Sequence, residues 1–162
     1  MTRQLTIADR VINDDSAPYV IAEIGHNHQG SLKTAKDIFR AAAESGASAV
    51  KLQKRHNRSL FTRQMYDTPY DNENSFGATY GEHREALEFD KAAYEELLAE
   101  AARLKVTFFA TAFDFESADF LAELNSPAYK ISSGDLKNTP LLRHVARIGK
   151  PMIISTGGGM ME

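Results

Sequence analysis

The chain contains no cysteine, which excludes disulfides, zinc knuckles, iron–sulfur clusters and thiol nucleophiles. It has no apolar run near the roughly 20 residues a membrane helix needs, and Met1 to Arg10 alternates polar and apolar residues rather than reading as a signal peptide. A cytoplasmic, membrane-free setting is therefore expected. No tract of five or six basic residues stands out. The longest cationic cluster, Lys51 to Arg58, is mixed with Leu52, Gln53, His56 and Asn57, and the formal charge is −3, so there is no electrostatic footprint for nucleic acid. What remains is ordinary for a globular chain: 162 residues, 43% hydrophobic and 25% charged, enough for one sizeable core. The length is short for a complete α/β barrel, which takes about 250 residues.

A rhythm of short apolar runs and amphipathic helices runs along the chain. Leu5 to Ile12 alternates as a strand should and is followed by Asn13-Asp14-Asp15, which points to an N-terminal β-hairpin. Tyr19 to Ala22 is almost wholly apolar, as in a strand covered on both faces, and ends at Glu23. Ser31 as N-cap, the stripe Leu32, Ala35, Ile38, Phe39 and Ala42, and Gly46 beyond the end describe a first helix. Ala47 to Leu52 is the second buried strand. From Arg55 to about Glu88 the periodicity dissolves, the mark of a functional loop or of small unresolved elements.

Regularity returns with Asp90 as N-cap and Tyr94, Leu97, Leu98, Ala101 and Leu104 as a helical stripe. A strand at Val106 to Ala110, a helix capped by Asp114 and a strand at Ala128 to Ile131 follow. A helix with Thr139 as N-cap and Pro140 at its first position then leads to a fifth strand, Pro151 to Ser155. Strands alternating with helices mean successive βαβ units and a parallel sheet. An open doubly wound sheet and an incomplete (β/α)₈ TIM barrel both fit. The second is preferred, because the chain stops at the glycine-rich turn Gly157-Gly158-Gly159 just past its fifth strand.

The polar residues gather where the apolar runs break: Glu23; Lys51 and Gln53; Thr111, with Asp114 just beyond; Lys130, Ser132, Ser133 and Asp135; Ser155 and Thr156. In a parallel sheet these C-terminal ends share one rim, where barrel enzymes build their sites. Two lysines inside apolar strands demand a negative partner, and with hydroxyls and glycine-flanked amides they suit an anion carrying phosphate and carboxylate. Glu23 and Asp135 are candidates for acid–base work or sugar hydroxyls. Blander readings stand beside these. Glu23 can simply pair with Lys51 or Lys130, the lysines can reach solvent, and strand-end hydroxyls commonly serve turns and caps. His26-Asn27-His28 looks like half a metal site but reads better as structural, and His83 could orient the long loop.

Five motifs in order resemble the sialic acid synthase family. They are Glu23-Ile24-Gly25-His26-Asn27-His28-Gln29-Gly30, Ala49-Val50-Lys51-Leu52-Gln53, Phe109-Ala110-Thr111-Ala112-Phe113-Asp114, Tyr129-Lys130-Ile131-Ser132-Ser133-Gly134-Asp135, and Pro151-Met152-Ile153-Ile154-Ser155-Thr156-Gly157. The resemblance implies condensation of phosphoenolpyruvate with an N-acetylated amino sugar such as N-acetylmannosamine, giving a nonulosonic acid and phosphate. Legionaminic and pseudaminic acid synthesis are the related alternatives. It implies a TIM barrel followed by an antifreeze-like domain, a homodimer, and a divalent metal, manganese or magnesium, held by residues beyond 162. Residues 1–162 would then be the N-terminal part of the barrel, inactive alone.

By the same resemblance Lys51 and Lys130 would hold the carboxylate side of phosphoenolpyruvate. Thr111, Ser133 and Ser155 would contact its phosphate, Gln53 would position the reacting groups, and Glu23 would handle proton transfer. Asp135, where the family often has glutamate, would touch the sugar. None of these would be a metal ligand. An aldolase using a Schiff base on Lys130 is the competing catalytic reading, and a non-catalytic fragment the competing class.

Overall fold

A computed structural model describes residues 3–160. The chain opens with an antiparallel hairpin, β1 (Gln4–Ile7) and β2 (Arg10–Asn13). Five parallel strands follow, in spatial order equal to chain order: β3 (Ile21–Gly25), β4 (Ala49–Lys54), β5 (Thr107–Ala112), β6 (Tyr129–Ile131) and β7 (Met152–Ile154). Between them run α1 (Leu32–Glu44), three short helices α2 (Asn57–Leu60), α3 (Arg63–Tyr66) and α4 (Tyr80–Glu85), then α5 (Lys91–Leu104), α6 (Phe115–Glu123) and α7 (Thr139–Ile148). Five strands laid down consecutively, with helices in the four connections between them, form the arc of a (β/α)₈ barrel.

The caps account for where helices begin. Ser31 accepts a hydrogen bond from the Thr34 N–H, Asp90 from Ala93 and Asp114 from Ser117. One expectation needs correction: α7 is capped by Asn138, whose side chain accepts from the Leu141 N–H, so Thr139 is already helical. An Asn carbonyl oxygen makes this bond while its backbone stays outside the helix, and Thr139 in the first turn leaves Pro140 where no intrahelical N–H is required.

The 55–88 stretch is not structureless. Thr79 and Glu82 form a reciprocal capping box at α4. His83 packs among Tyr70, Phe76 and Tyr80 with ring centroids 4.6, 5.7 and 6.4 Å away. Gly30 lets this excursion lie on the rim. It adopts φ +76°, and a Cβ there would sit 2.3 Å from the Ala86 carbonyl oxygen.

The two faces of the sheet bury different sets. Val50, Leu52, Phe108, Ala110, Tyr129 and Ile131 point outward into the main core, against Phe39, Leu97, Leu121 and Val145 of the helices. Ala49, Phe109 and Ala128 point inward, where Ile7 of the hairpin closes over them at 1% exposure. The inner face is thus apolar toward the N-terminal strand ends, and its polar residues lie toward the other end.

Candidate active site at the C-terminal rim

Alternation along each strand decides which residues reach the interior. On β4, Ala49, Lys51 and Gln53 share the inner face; on β5, Phe109 and Thr111 do, with Phe113 next. Glu23 of β3 lies beside Lys51 of β4, and Thr111 of β5 beside Lys130 of β6. The result is one open cleft of about 330 Å³ lined by Glu23, Lys51, Gln53, Thr111, Phe113, Lys130, Ser132, Ser133 and Ser155.

The two lysines are held alike, each by a hydroxyl at the C-terminal end of the next strand. Lys51, 1% exposed, donates through Nζ to Thr111 Oγ1 at 2.7 Å and to the Leu52 carbonyl at 3.1 Å. Lys130 donates to Ser155 Oγ at 2.6 Å and to the Ile131 carbonyl at 2.8 Å. The Glu23 carboxylate lies 3.1 Å from Lys51 Nζ.

Burial pulls both ammonium groups below the ordinary lysine value, while Glu23 pushes each back up. For Lys51, the neighbouring charges of Lys130 and Arg55 add to the downward pull. Two cations against one carboxylate leave the cleft with a positive surplus, although the chain as a whole is acidic.

Seven of the eight predicted site residues therefore converge: Glu23, Lys51, Gln53, Thr111, Lys130, Ser133 and Ser155. Asp135 is not among the lining residues. It ends the single 3-10 turn Ser133–Asp135, and its carboxylate accepts a hydrogen bond from Asn138 Nδ2 at 3.2 Å. Phe113, which was not a candidate, and Ser132, which the sequence offered only as one of the polar strand-end residues, also belong to the lining. Phe113 was legible as the next inward residue after Thr111. Ser132 orders the turn by accepting from the Gly134 N–H.

The histidine pair splits in two. His28, 1% exposed, stacks on Phe89 at 4.3 Å and accepts the Gly30 N–H through Nδ1, as a structural residue should. His26 joins a separate polar cluster with Arg55, Arg84 and Glu88. Among the described residues, no three His, Asp or Glu side chains converge as metal ligands. The divalent ion implied by resemblance finds no ligand set among them. No helix among the described residues is long and apolar enough to cross a membrane.

The NeuB family matches residues 38–162. The N-acetylneuraminate-9-phosphate synthase of Drosophila melanogaster is 46% identical over 144 residues, covering 89% of this chain and 39% of that protein. The N,N'-diacetyllegionaminic acid synthase of Campylobacter jejuni is 36% identical over 139 residues, covering 85% and 42%. A crystal structure of the N-acetylneuraminic acid (sialic acid) synthetase of Leptospira borgpetersenii superposes with a TM-score of 0.81 at 27% identity, over 99% of this chain and 52% of that one. The chain thus spans about two fifths of the length of these curated relatives. With a fold, a site and a match that agree, the chain belongs to the NeuB family.

Proposed function

We propose that this chain supplies the phosphoenolpyruvate-binding part of a barrel enzyme that condenses phosphoenolpyruvate with an N-acetylated amino sugar to give a nonulosonic acid and phosphate. One observation carries the reading: two hydroxyl-anchored ammonium groups, Lys51 and Lys130, face one carboxylate in a single cleft at the C-terminal strand ends. Such a site favours a compact anion with more than one negative charge. Phosphoenolpyruvate offers a carboxylate to the lysines and a phosphate to Ser133, Ser155 and the nearby amides.

In the reaction, the enol carbon gives its electron pair to the aldehyde carbon of the open-chain sugar, and the aldehyde oxygen takes a proton. Water adds to the resulting cation, and phosphate leaves with cleavage of its C–O bond, giving a 2-keto acid. Lys51 and Lys130 neutralise the donor's charge throughout. Glu23, only partly engaged by Lys51, has the position and exposure to accept the proton of the attacking water. Gln53 lies beside Thr111 on the adjoining strand, where it can orient the reacting groups. The relatives' names leave the acceptor open: one product carries a phosphate and the other does not.

On this reading the barrel is completed, the divalent ion bound and a homodimer formed in the cytoplasm by parts of the protein outside residues 1–162. This chain alone would then bind the donor without turnover. Calorimetric titration with phosphoenolpyruvate tests the core claim. The chain binds it, and Lys51→Ala weakens binding by about tenfold or more, as expected for a lost charge-assisted contact in a buried site. Equal affinity in Lys51→Ala, with the fold intact by circular dichroism, would refute it.

A further inference from the structure

Past the strand ladder, side chains join the ends of β4 and β5. The two strands pair residue for residue up to Lys54 and Ala112, and one more backbone bond follows, from the Phe113 N–H to the Lys54 carbonyl at 3.4 Å. The next two backbone N–H groups beyond β4 go to carboxylates. Arg55 N–H donates to Glu88 Oε2 at 3.2 Å, and His56 N–H to Asp114 Oδ2 at 2.8 Å. Between these two anchors the Arg55 guanidinium lies over the Phe113 ring, 3.7 Å from its centroid. Phe113 is the one apolar side chain in the lining of the donor cleft, and Asp114 is its neighbour along the chain.

Asp114 does more than a helix cap requires. Capping takes a single oxygen. Asp90 shows the ordinary case at α5: it is exposed, and one of its oxygens accepts from the Ala93 N–H at 2.9 Å. Asp114 caps α6 in the same way, accepting from the Ser117 N–H at 2.6 Å through Oδ1. It is nevertheless only 7% exposed, and its other oxygen holds His56, 58 residues away. Burying a carboxylate costs free energy that capping alone does not call for. Here the cost is offset because both oxygens meet backbone N–H groups, and bonds to an ionised acceptor are about twice as strong as neutral ones. Without the Oδ2 bond, the His56 N–H loses its acceptor and the Arg55–Phe113 stack is no longer pinned from both sides. A fixed ring at this place matters to an anion held by the lysines. It keeps water from part of the cleft wall, and attraction between charges strengthens as water is removed.

We propose that Asp114 is a positioning residue of the donor cleft: by clipping the end of β4 to the end of β5, it holds Phe113 against the Arg55 guanidinium as a fixed apolar wall beside the two lysines. The role rests on the reading of the lysine cleft as the donor site. Asp114 itself does not line the cleft and acts through the ring next to it.

Two measurements on this chain test the proposal. The Arg55 Nε–H resonance reports the stack, because protons over an aromatic face are shifted upfield. Calorimetric titration with phosphoenolpyruvate reports the cleft. Asp114→Ser keeps an oxygen for the Ser117 N–H but cannot also reach His56. It is expected to move the Arg55 signal downfield, toward its unstacked position, and to weaken phosphoenolpyruvate binding by about fivefold or more. Asp90→Ser, a change of the same chemistry at a cap without a clip, leaves the Arg55 signal in place and alters affinity by about twofold or less. Phe113→Leu weakens binding comparably, and adding Asp114→Ser to it brings little further loss, as expected of a residue that acts through the ring. If Asp114→Ser fails to fold, Asp114→Asn carries the test, since its Oδ1 can cap α6 while its amide sets a donor against the His56 N–H. An unchanged Arg55 signal in folded Asp114→Ser overturns the proposal. So does an unchanged donor affinity, an equal loss in Asp90→Ser, or full additivity with Phe113→Leu. A displaced Arg55 signal in a chain that binds no phosphoenolpyruvate in any form keeps the clip and overturns the donor-site reading alone.

Discussion

Lys51 and Glu23 form an unequal ion pair. The Lys51 side chain is 2% exposed and the Glu23 side chain 59% exposed, with their charged groups 3.1 Å apart across neighbouring strands. The lysine therefore depends on the glutamate more than the reverse. With Glu23 gone, Lys51 keeps the Thr111 hydroxyl and the Leu52 carbonyl but loses its counter-charge. Glu23→Gln is expected to lower unfolding free energy at neutral pH by about 1–2 kcal/mol, less than for a fully buried pair because water screens the carboxylate. It also lowers the Lys51 pKa further, by removing what Glu23 contributes upward. Denaturant unfolding and a 15N-detected lysine titration read both. In the complete enzyme, turnover falls by orders of magnitude if Glu23 moves the proton. An unchanged Lys51 titration in Glu23→Gln would show that the pair is not coupled.

Donor binding follows the charge on these lysines, and the sign can be worked out. Both folded-state values lie below the ordinary 10.5, with burial the first cause. Rising pH therefore discharges them earlier than a surface lysine. Affinity for phosphoenolpyruvate or inorganic phosphate is greatest below that range and falls as pH climbs toward 10.5. By linkage, the bound anion raises both values and takes up protons in the same interval. Titrations from pH 7 to 10 in buffers of differing ionisation enthalpy measure the affinity loss and the proton uptake. Anion affinity constant over that span would exclude the lysines as the binding groups.

The strands and the long helices were readable because each is a local pattern with a local cap. The apolar run at Ala47 to Leu52 and the Asp90 cap reported their elements within one or two residues. Once strands are placed, alternation along them put Lys51, Gln53 and Thr111 on a common face. The sequence was silent where the determinant is spatial. That Asn138 Nδ2 donates to the Asp135 carboxylate across the 3-10 turn is one such relationship. Arg55 looked like part of a mixed basic cluster, since its significance comes from Phe113, 58 residues on. The 55–88 excursion lacked period because α2 and α3 are one turn long, too short for a stripe.

Gly30 is where that excursion meets the barrel, and its lack of a side chain is required twice. Its φ of +76° strains any L residue, and an added Cβ would lie 2.3 Å from the Ala86 carbonyl oxygen, a backbone atom that cannot rotate away. Gly30→Ala is expected to cost about 2–4 kcal/mol, from left-handed strain together with overpacking. The loss is felt first in the 80–88 segment, which carries Arg84 and Glu88. Hydrogen exchange should show amides of α4 opening before those of β4 and β5. Uniform loss of protection across strands and excursion would mean that the two unfold as one unit and that Gly30 has no special part in docking them.

His28 sets an acid limit on the fold. Burial, with His26 beside it, lowers its pKa from 6.5 to about 4, while Glu88 pulls the other way. The unfolded chain therefore takes up a proton that the folded chain refuses. Stability contributed by neutral His28 is complete above about pH 6.5 and is lost as pH falls from there toward 4. Allowing for partial screening, that loss is on the order of 2 kcal/mol. His28→Gln removes the titrating group and retains a side-chain acceptor for the Gly30 N–H. The variant is expected to be less stable at pH 7, because the stack on Phe89 is lost, but to lose less on going to pH 5 than the unsubstituted chain does. Thermal melts at pH 7, 6 and 5 give the two slopes, and parallel slopes would show that some group other than His28 governs acid unfolding.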